Sequence, residues 1–280
     1  MTLLPATTHA RGAQSRAAPP AEEGAGAFSA RVRERFGRRA ADYDGQARLQ
    51  RAIAWRLAGH ARCLPLPAGP LADLGAGSGL LSRALLERRA DLAARPPLQL
   101  DHCPELLARN PFTAPPFGRC LPPCDLNQPL PPPLSDAALL ASSFALQWLE
   151  QPAVILAHWC ERLTAGGWLL LALPVAGSFS AWRQAAAAAA VPFTGLELPQ
   201  AEGLVCVAAE RLALQRVERL SFRQPRQDGL ATLRQFGALG ASASRRPPLG
   251  TGQLRRLLRH WPPQAALNWQ VLLLVGRRLP

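Results

Sequence analysis

The sequence predicts an α/β fold: a mostly parallel, doubly wound sheet with N-terminal covering helices. Three observations predict it. Short apolar runs alternate with stretches of helical periodicity. Leu71-Ala-Asp-Leu74 runs straight into Gly75, Gly77 and Gly79, and then into Leu80, Leu81, Ala84 and Leu85 at helical spacing. Two further helical patterns precede this first strand. A strand, a glycine turn and a helix place backbone N–H groups and a ligand edge at the carboxyl end of the strand, where small residues let a ligand approach the main chain. No Gly-Lys-Ser/Thr follows, so the turn is not a P-loop, and its third glycine comes one residue early for G-x-G-x-x-G.

Taken in order, residues 1–27 lack the apolar centre of a secretory signal, and two readings stand, a disordered tail and a transit-like leader. Residues 28–280 read as a single domain, divided into a helical cover (28–64), a cofactor-binding core (65–175) and a substrate or partner half (176–280). Phe28, Val32, Phe36 and Tyr43 fall on one face of a first helix. Leu49, Ile53 and Leu57 mark a second, which stops before Pro65. After the glycine turn and its helix, Pro97-Leu-Gln-Leu-Asp101 is a second strand whose terminal acid can accept from a ribose diol. Pro104 starts the next helix. A proline-rich loop (111–123) leads to Cys124-Asp125-Leu126, a third sheet edge whose acid could accept from an adenine amino group.

Ala137 to Ala141 is the fourth strand and runs into Ser142-Ser-Phe-Ala-Leu-Gln-Trp148. A helix over 152–163 is expected to stop at Ala165-Gly166-Gly167, ahead of a fifth strand from Trp168 to Leu173. Helices around 178–190 and 199–209 precede an edge strand, Leu212 to Phe222. Helices over 229–239 and 251–261 then lead to a last strand, Asn268 to Val275.

Composition limits the function classes. The chain has 280 residues, 48% of them hydrophobic, and no apolar run near the ~20 residues of a membrane span. It reads as soluble and cytoplasmic. All 32 basic residues are arginine. Residues 211–280 hold 13 of them against only Glu218 and Asp228, so nearly all of the +13 net charge lies in the last quarter. That points to an acidic partner or substrate, with a merely solvated arginine surface as the competing reading. The six cysteines form no C-x-x-C pair and have no histidine at finger spacing, so they read as reduced thiols and no metal site is expected.

Asp73-x-Gly-x-Gly-x-Gly79 resembles motif I of the Rossmann-like, class I S-adenosylmethionine-dependent methyltransferases. Phe36-Gly-Arg-Arg-Ala-Ala-Asp-Tyr43, Leu74-Gly-Ala-Gly-Ser-Gly79, Leu100-Asp-His-Cys-Pro-Glu-Leu-Leu107 and Ser142-Ser-Phe-Ala-Leu-Gln-Trp148 are together similar to the malonyl-[acyl-carrier protein] O-methyltransferases of biotin synthesis. Cys160-Glu-Arg-Leu-Thr-Ala-Gly-Gly167, Leu233-Arg-Gln-Phe-Gly-Ala-Leu-Gly-Ala241 and Trp261-Pro extend the resemblance, which runs from about Phe36 to Arg278. It implies S-adenosylmethionine as cofactor, held by Asp73, Gly75, Gly77, Gly79, Asp101 and Asp125, with Ala76, His102, Leu126 and Ser142 beside them. It also implies methylation of the free carboxyl of a malonyl thioester on acyl-carrier protein, or on coenzyme A.

A malonyl carboxylate is ionised at neutral pH and needs no general base, so the protein's work is orientation in a dry site. Tyr43 and Arg234, with Gln147 behind them, are the positioning candidates, and a surface role for Arg234 stands beside that one. Arg255, Arg256 and Arg259 on one helix are expected to dock the acidic carrier. Competing readings are another small carboxylate, a quinone-like ring carbon, which would want a base such as His158 or His260, and a nucleic acid. The last is disfavoured by the few aromatics among the C-terminal arginines.

Overall fold

The computed structural model describes residues 26–224, 228–263 and 265–279. The expected tail therefore lies outside the described residues but for Gly26 and Ala27. Among the described residues three α-helices come first: α1 (Ala27–Gly37), α2 (Tyr43–Gln46) and α3 (Arg48–Ala61). The core then alternates β1 (Leu71–Leu74), α4 (Leu80–Arg88), β2 (Leu98–Leu100), α5 (Pro104–Leu107), β3 (Ala137–Ser143), α6 (Pro152–Glu161) and β4 (Leu163–Pro174). The remainder is α7 (Ser180–Ala188), α8 (Ala201–Ala209), β5 (Leu212–Gln224), α9 (Gly229–Ala238), α10 (Thr251–Arg259) and β6 (Leu267–Arg278).

The strands form one sheet in the order β2-β1-β3-β4-β6-β5. The first four are parallel, and β6 joins antiparallel to both β4 and β5. Strand alternation divides the core between two faces. Leu71, Leu139, Leu170 and Leu273 pack with α3, α4 and α7 on one, while Leu74, Leu140, Leu171 and Leu272 pack with α6 and α8 on the other. Trp159 of α6 is 1% exposed, the largest side chain so fully buried among the described residues, and worth roughly 2–3 kcal/mol of transfer energy.

Three expectations need correction. The single helical face from Phe28 to Tyr43 is broken: α1 ends at Gly37, and turns carry the chain to α2. Gly37 lies against the Glu105 carboxylate, where a Cβ would come within 2.9 Å of Oε2. The rings of Phe36 and Tyr43 still meet edge to face at 6.1 Å, through the turn rather than along a helix.

The third sheet edge is not a strand. The segment before Asp125 lies beside β2 with a single bridge, Gln99 to Cys120, and three backbone bonds: Gln99 N to Arg119 O, Leu121 N to Gln99 O and Cys124 N to Asp101 O. Pro122 and Pro123 bring no N–H, so no ladder can extend there.

The helix before the fifth expected strand ends at Glu161, and Gly166 and Gly167 lie inside β4. Gly166 has φ 76°, and a Cβ on Gly167 would stand 2.7 Å from the Ala137 carbonyl oxygen. The pair of glycines shapes the register shift between β3 and β4 instead of stopping a helix.

Candidate active site

The glycine turn sits where β1 and β2 end. Gly75 and Ala76 donate their N–H groups to the Leu100 carbonyl (2.8 and 3.0 Å), Gly77 to Asp101 Oδ2 (2.8 Å) and Gly79 to Ala76 O (2.8 Å). These donors are therefore committed within the protein. The turn contributes space. Gly75, Gly77 and Gly79 all have positive φ, and a Cβ on Gly75 would lie 2.1 Å from Ala145 Cβ.

A cavity of ≈ 110 Å³ opens over this turn, lined by Gly75, Gly77, Asp101, His102, Asp125 and Leu126 among others. Asp101 also accepts from Cys103 N at 2.8 Å, and burial pushes its carboxyl above the ordinary range. Asp125 behaves oppositely. Burial works against its charge, but hydrogen bonds from Asn127 and Ser29 hold its carboxyl below the usual value. Ser29 of α1 donates to Asp125 Oδ2 at 2.7 Å and lies 3.2 Å from His102 Nδ1. The N-terminal cover is thereby sewn to the binding edge by a residue the sequence reading passed over.

Asp73 takes a different place. It is buried, borders only a recess of ≈ 30 Å³, and accepts from the Ser82 N–H (3.1 Å) and hydroxyl (2.8 Å). Ser82 continues through Gln99 to Asn110, whose Nδ2 donates to the Gly77 carbonyl at 3.2 Å. A Cβ on Gly79 would fall 2.6 Å from Asn110 Oδ1, so Gly79 serves this network rather than the cavity. Burial pushes the Asp73 carboxyl up to about 7. Ala76 likewise borders only the recess, and Ser142 lines neither space. The Ser142 hydroxyl donates to the Leu74 carbonyl at 2.7 Å, and Ser143 takes the wall position expected of it. Alternation along β3 turns the two serines to opposite faces.

A second and larger cavity of ≈ 490 Å³ lies beyond, shared between α1, the strand ends and the segment from α9 to α10. Phe36, Tyr43, Phe144 and Trp148 border both cavities and form the partition between them. Phe36 meets Trp148 edge to face at 5.4 Å, and Phe144 holds a left-handed backbone, φ 59°. Tyr43 borders the recess as well. Burial, with Asp101 and Asp44 nearby, pushes its phenol well above the ordinary value, so it stays a proton donor. Gln147 lines the large cavity, donates to the Phe144 carbonyl at 2.7 Å and leaves its buried Oε1 without a partner.

Arg234 does not reach this cavity: it is exposed on α9 and outside the lining, whereas its neighbour Leu233 and Phe236 face inward. Among the described residues, the arginines of the lining are Arg31, Arg35 and Arg246, and no carboxylate or histidine accompanies them. Their signal in the sequence was two arginine-bearing segments far apart in the chain. Arg255, Arg256 and Arg259 are exposed on the outer face of α10, whose Leu254 and Leu257 form part of the cavity wall. His158 and His260 are exposed and line neither cavity. All six cysteines are free, and burial pushes the Cys103 and Cys160 thiols up to about 12.

No protein-family model matches the chain. It is 34% identical over 243 residues to the biotin biosynthesis bifunctional protein BioCD of Bordetella avium, a match over 84% of this chain and 49% of that protein. It is 33% identical over 159 residues to the malonyl-[acyl-carrier protein] O-methyltransferase of Alcanivorax borkumensis, over 55% of this chain and 52% of the other. The chain thus spans about half the length of the curated relatives it matches. Among solved structures, a putative methyltransferase from Bacillus halodurans aligns at TM-score 0.56 and 12% identity, over 80% of this chain and 99% of its own. A geranyl diphosphate methyltransferase solved with its diphosphate and sinefungin aligns at TM-score 0.54 and 16% identity, over 90% and 99%. With its glycine turn under one cavity and a covering helix stitched across the sheet edge, the chain has the Rossmann-like α/β fold of solved methyltransferases and is similar, over about half of their length, to a biotin biosynthesis bifunctional protein and a malonyl-[acyl-carrier protein] O-methyltransferase.

Proposed function

We propose that the protein transfers a methyl group from S-adenosylmethionine to the free carboxyl of a malonyl thioester carried on an acidic carrier protein, an early step of biotin synthesis. One observation supports this most: the glycine-edged cavity meets an aromatic cavity that carries three arginines and no carboxylate, with Tyr43 at the junction.

The donor's fit rests on the cradle at Gly75 and Gly77, which a Cβ or a larger residue would strain or fill. Asp101 and Asp125 supply acceptors for a diol and an amino group, and Leu126 an apolar wall. When bound, the donor supplies an electrophilic methyl. The protein's own residues then orient and dry the acceptor. Phe36, Phe144 and Trp148 keep water from the partition. Tyr43, protonated across the physiological range, donates to the carboxylate oxygen that does not react. The acceptor arrives ionised, so a large cavity with no His, Asp or Glu among the described residues of its lining suits it. A ring carbon, which must lose a proton, would find no base there. On the outside of α10, Arg255, Arg256 and Arg259 offer the carrier a positive face.

The deciding experiment incubates the protein with malonyl-carrier protein and S-adenosylmethionine and weighs the product. A methyl-sized mass gain on the acyl group is expected. Methylation of a free acid with none on the thioester would overturn the substrate assignment.

A further inference from the structure

The large cavity, ≈ 490 Å³, is much bigger than a three-carbon diacid requires. Its lining is aromatic and aliphatic over most of its extent, yet it includes Arg35 on α1 and Arg246 on the segment between α9 and α10, both exposed. Neither guanidinium has a hydrogen bond or ion pair with another described residue.

The surrounding contacts hold these two arginines on one rim. Arg31 donates to the Ser244 carbonyl at 3.1 Å, tying α1 to the segment that carries Arg246. Arg245 stacks on Phe28 at 3.9 Å and donates to Leu149 O at 3.2 Å, which fixes the residue next to Arg246. An aromatic slot with a cationic mouth and no acidic side chain among the described residues of its lining fits a long, mostly uncharged chain that ends in an anion.

Resting on the thioester reading above, we propose that Arg35 and Arg246 form an anion site for the phosphate at the far end of a phosphopantetheine arm. The acyl end then reaches the partition near Tyr43, and the arm's alkyl and amide groups fill the aromatic slot. This phosphate is common to carrier proteins and to coenzyme A, so the site recognises the arm. The outer face of α10 distinguishes the body attached to it.

The test is calorimetric and needs no methyl transfer. Phosphopantetheine and pantetheine, both without acyl group, are titrated into the wild type and into R35Q/R246Q, with thermal unfolding to show that the exposed substitutions leave the fold intact. The wild type is expected to bind the phosphorylated arm about tenfold or more tightly than pantetheine. The variant should lose that preference while binding pantetheine within about twofold of wild type.

Equal affinity of the wild type for the two arms, or an unchanged preference in the variant, overturns the proposal. Malonyl-coenzyme A and malonyl-carrier protein as competitors separate the two sources. Both should displace phosphopantetheine, and only the carrier's displacement should weaken in an α10 variant such as R255E/R256E. Arginine-dependent phosphate binding without methylation of any malonyl thioester would leave the anion site standing and remove the proposed reaction.

Discussion

Gly240 is packed against Phe36. A Cβ on Gly240 would stand 3.0 Å from both the Phe36 Cα and the Arg35 carbonyl oxygen, at a backbone φ of 77°. The residue that ends the α9 turn is therefore the floor on which the end of α1 rests, and α1 carries one ring of the partition. Because the crowding atoms are backbone, they cannot swing aside.

Replacing Gly240 with Ala is expected to cost about 1–3 kcal/mol through left-handed strain and crowding together. Thermal unfolding should show a midpoint lowered by several degrees. Displacement of Phe36 should raise KM for the acyl substrate more than it weakens donor binding, which calorimetry and kinetics on the same variant can separate. An unchanged midpoint would mean that α1 yields without cost.

Phe144 presents an inversion of the usual order of substitutions. Its φ of 59° suits glycine, and alanine inherits the strain of phenylalanine without its ring contacts. F144G should therefore be more stable than F144A by about 1 kcal/mol, as read by urea denaturation. Both variants remove the ring shared by the two cavities, so methyl transfer should drop in each by an order of magnitude or more while donor affinity changes less.

Asp73 supplies a pH test. Its carboxyl lies at about 7 in the folded protein, against 3.8 when free, because burial disfavours its charge. Between these values the native state holds a proton that the unfolded chain has released, so this group's contribution to stability falls as pH rises from about 4 to about 7 and is level above. The stability of wild type minus that of D73N should decline across that window in chemical denaturation. A difference that rises there, or is flat, would show that Asp73 stays ionised in its network with Ser82.

The arginines outside the cavity should behave differently from one another. R255E/R256E/R259E is expected to raise KM for a carrier-borne substrate tenfold or more at low salt, with kcat changed little and the effect shrinking as salt is added. R234A, exposed and away from the lining, should leave both constants within about twofold of wild type. Steady-state kinetics across a salt series decides both.

The fold was legible where local chemistry fixes it. Leu71–Leu74 with its glycine turn, the acid at 101 and the long apolar β6 all read correctly because periodicity and small residues act over a few positions. Boundaries were lost where distant contacts decide them. Gly166 and Gly167 carry the composition of a helix stop, yet the nearby Ala137 carbonyl makes them part of a strand. At the site, Asp101, Asp125 and Tyr43 converge as expected. Arg234 lies outside the lining because the side of α9 that faces inward depends on elements far away in sequence, and Ser142 lies one position of strand alternation from the wall. Arg35 and Arg246 could not be paired from sequence, since only the fold brings α1 beside the segment before α10.

The two ends of the sheet are closed in unlike ways. Alongside β2, the chain from Arg119 to Cys124 takes up main-chain groups while its prolines offer no complete row of donors outward. At the other end, β5 exposes Arg216, Arg219 and Arg223 along its length. A second molecule seeking to extend the sheet meets a ragged border at one side and, at the other, charged side chains, of which Arg216 is paired with Glu218 and Arg219 with Glu202. Such a sheet offers a neighbouring chain a broken row of backbone groups along one border and hydrated charge along the other.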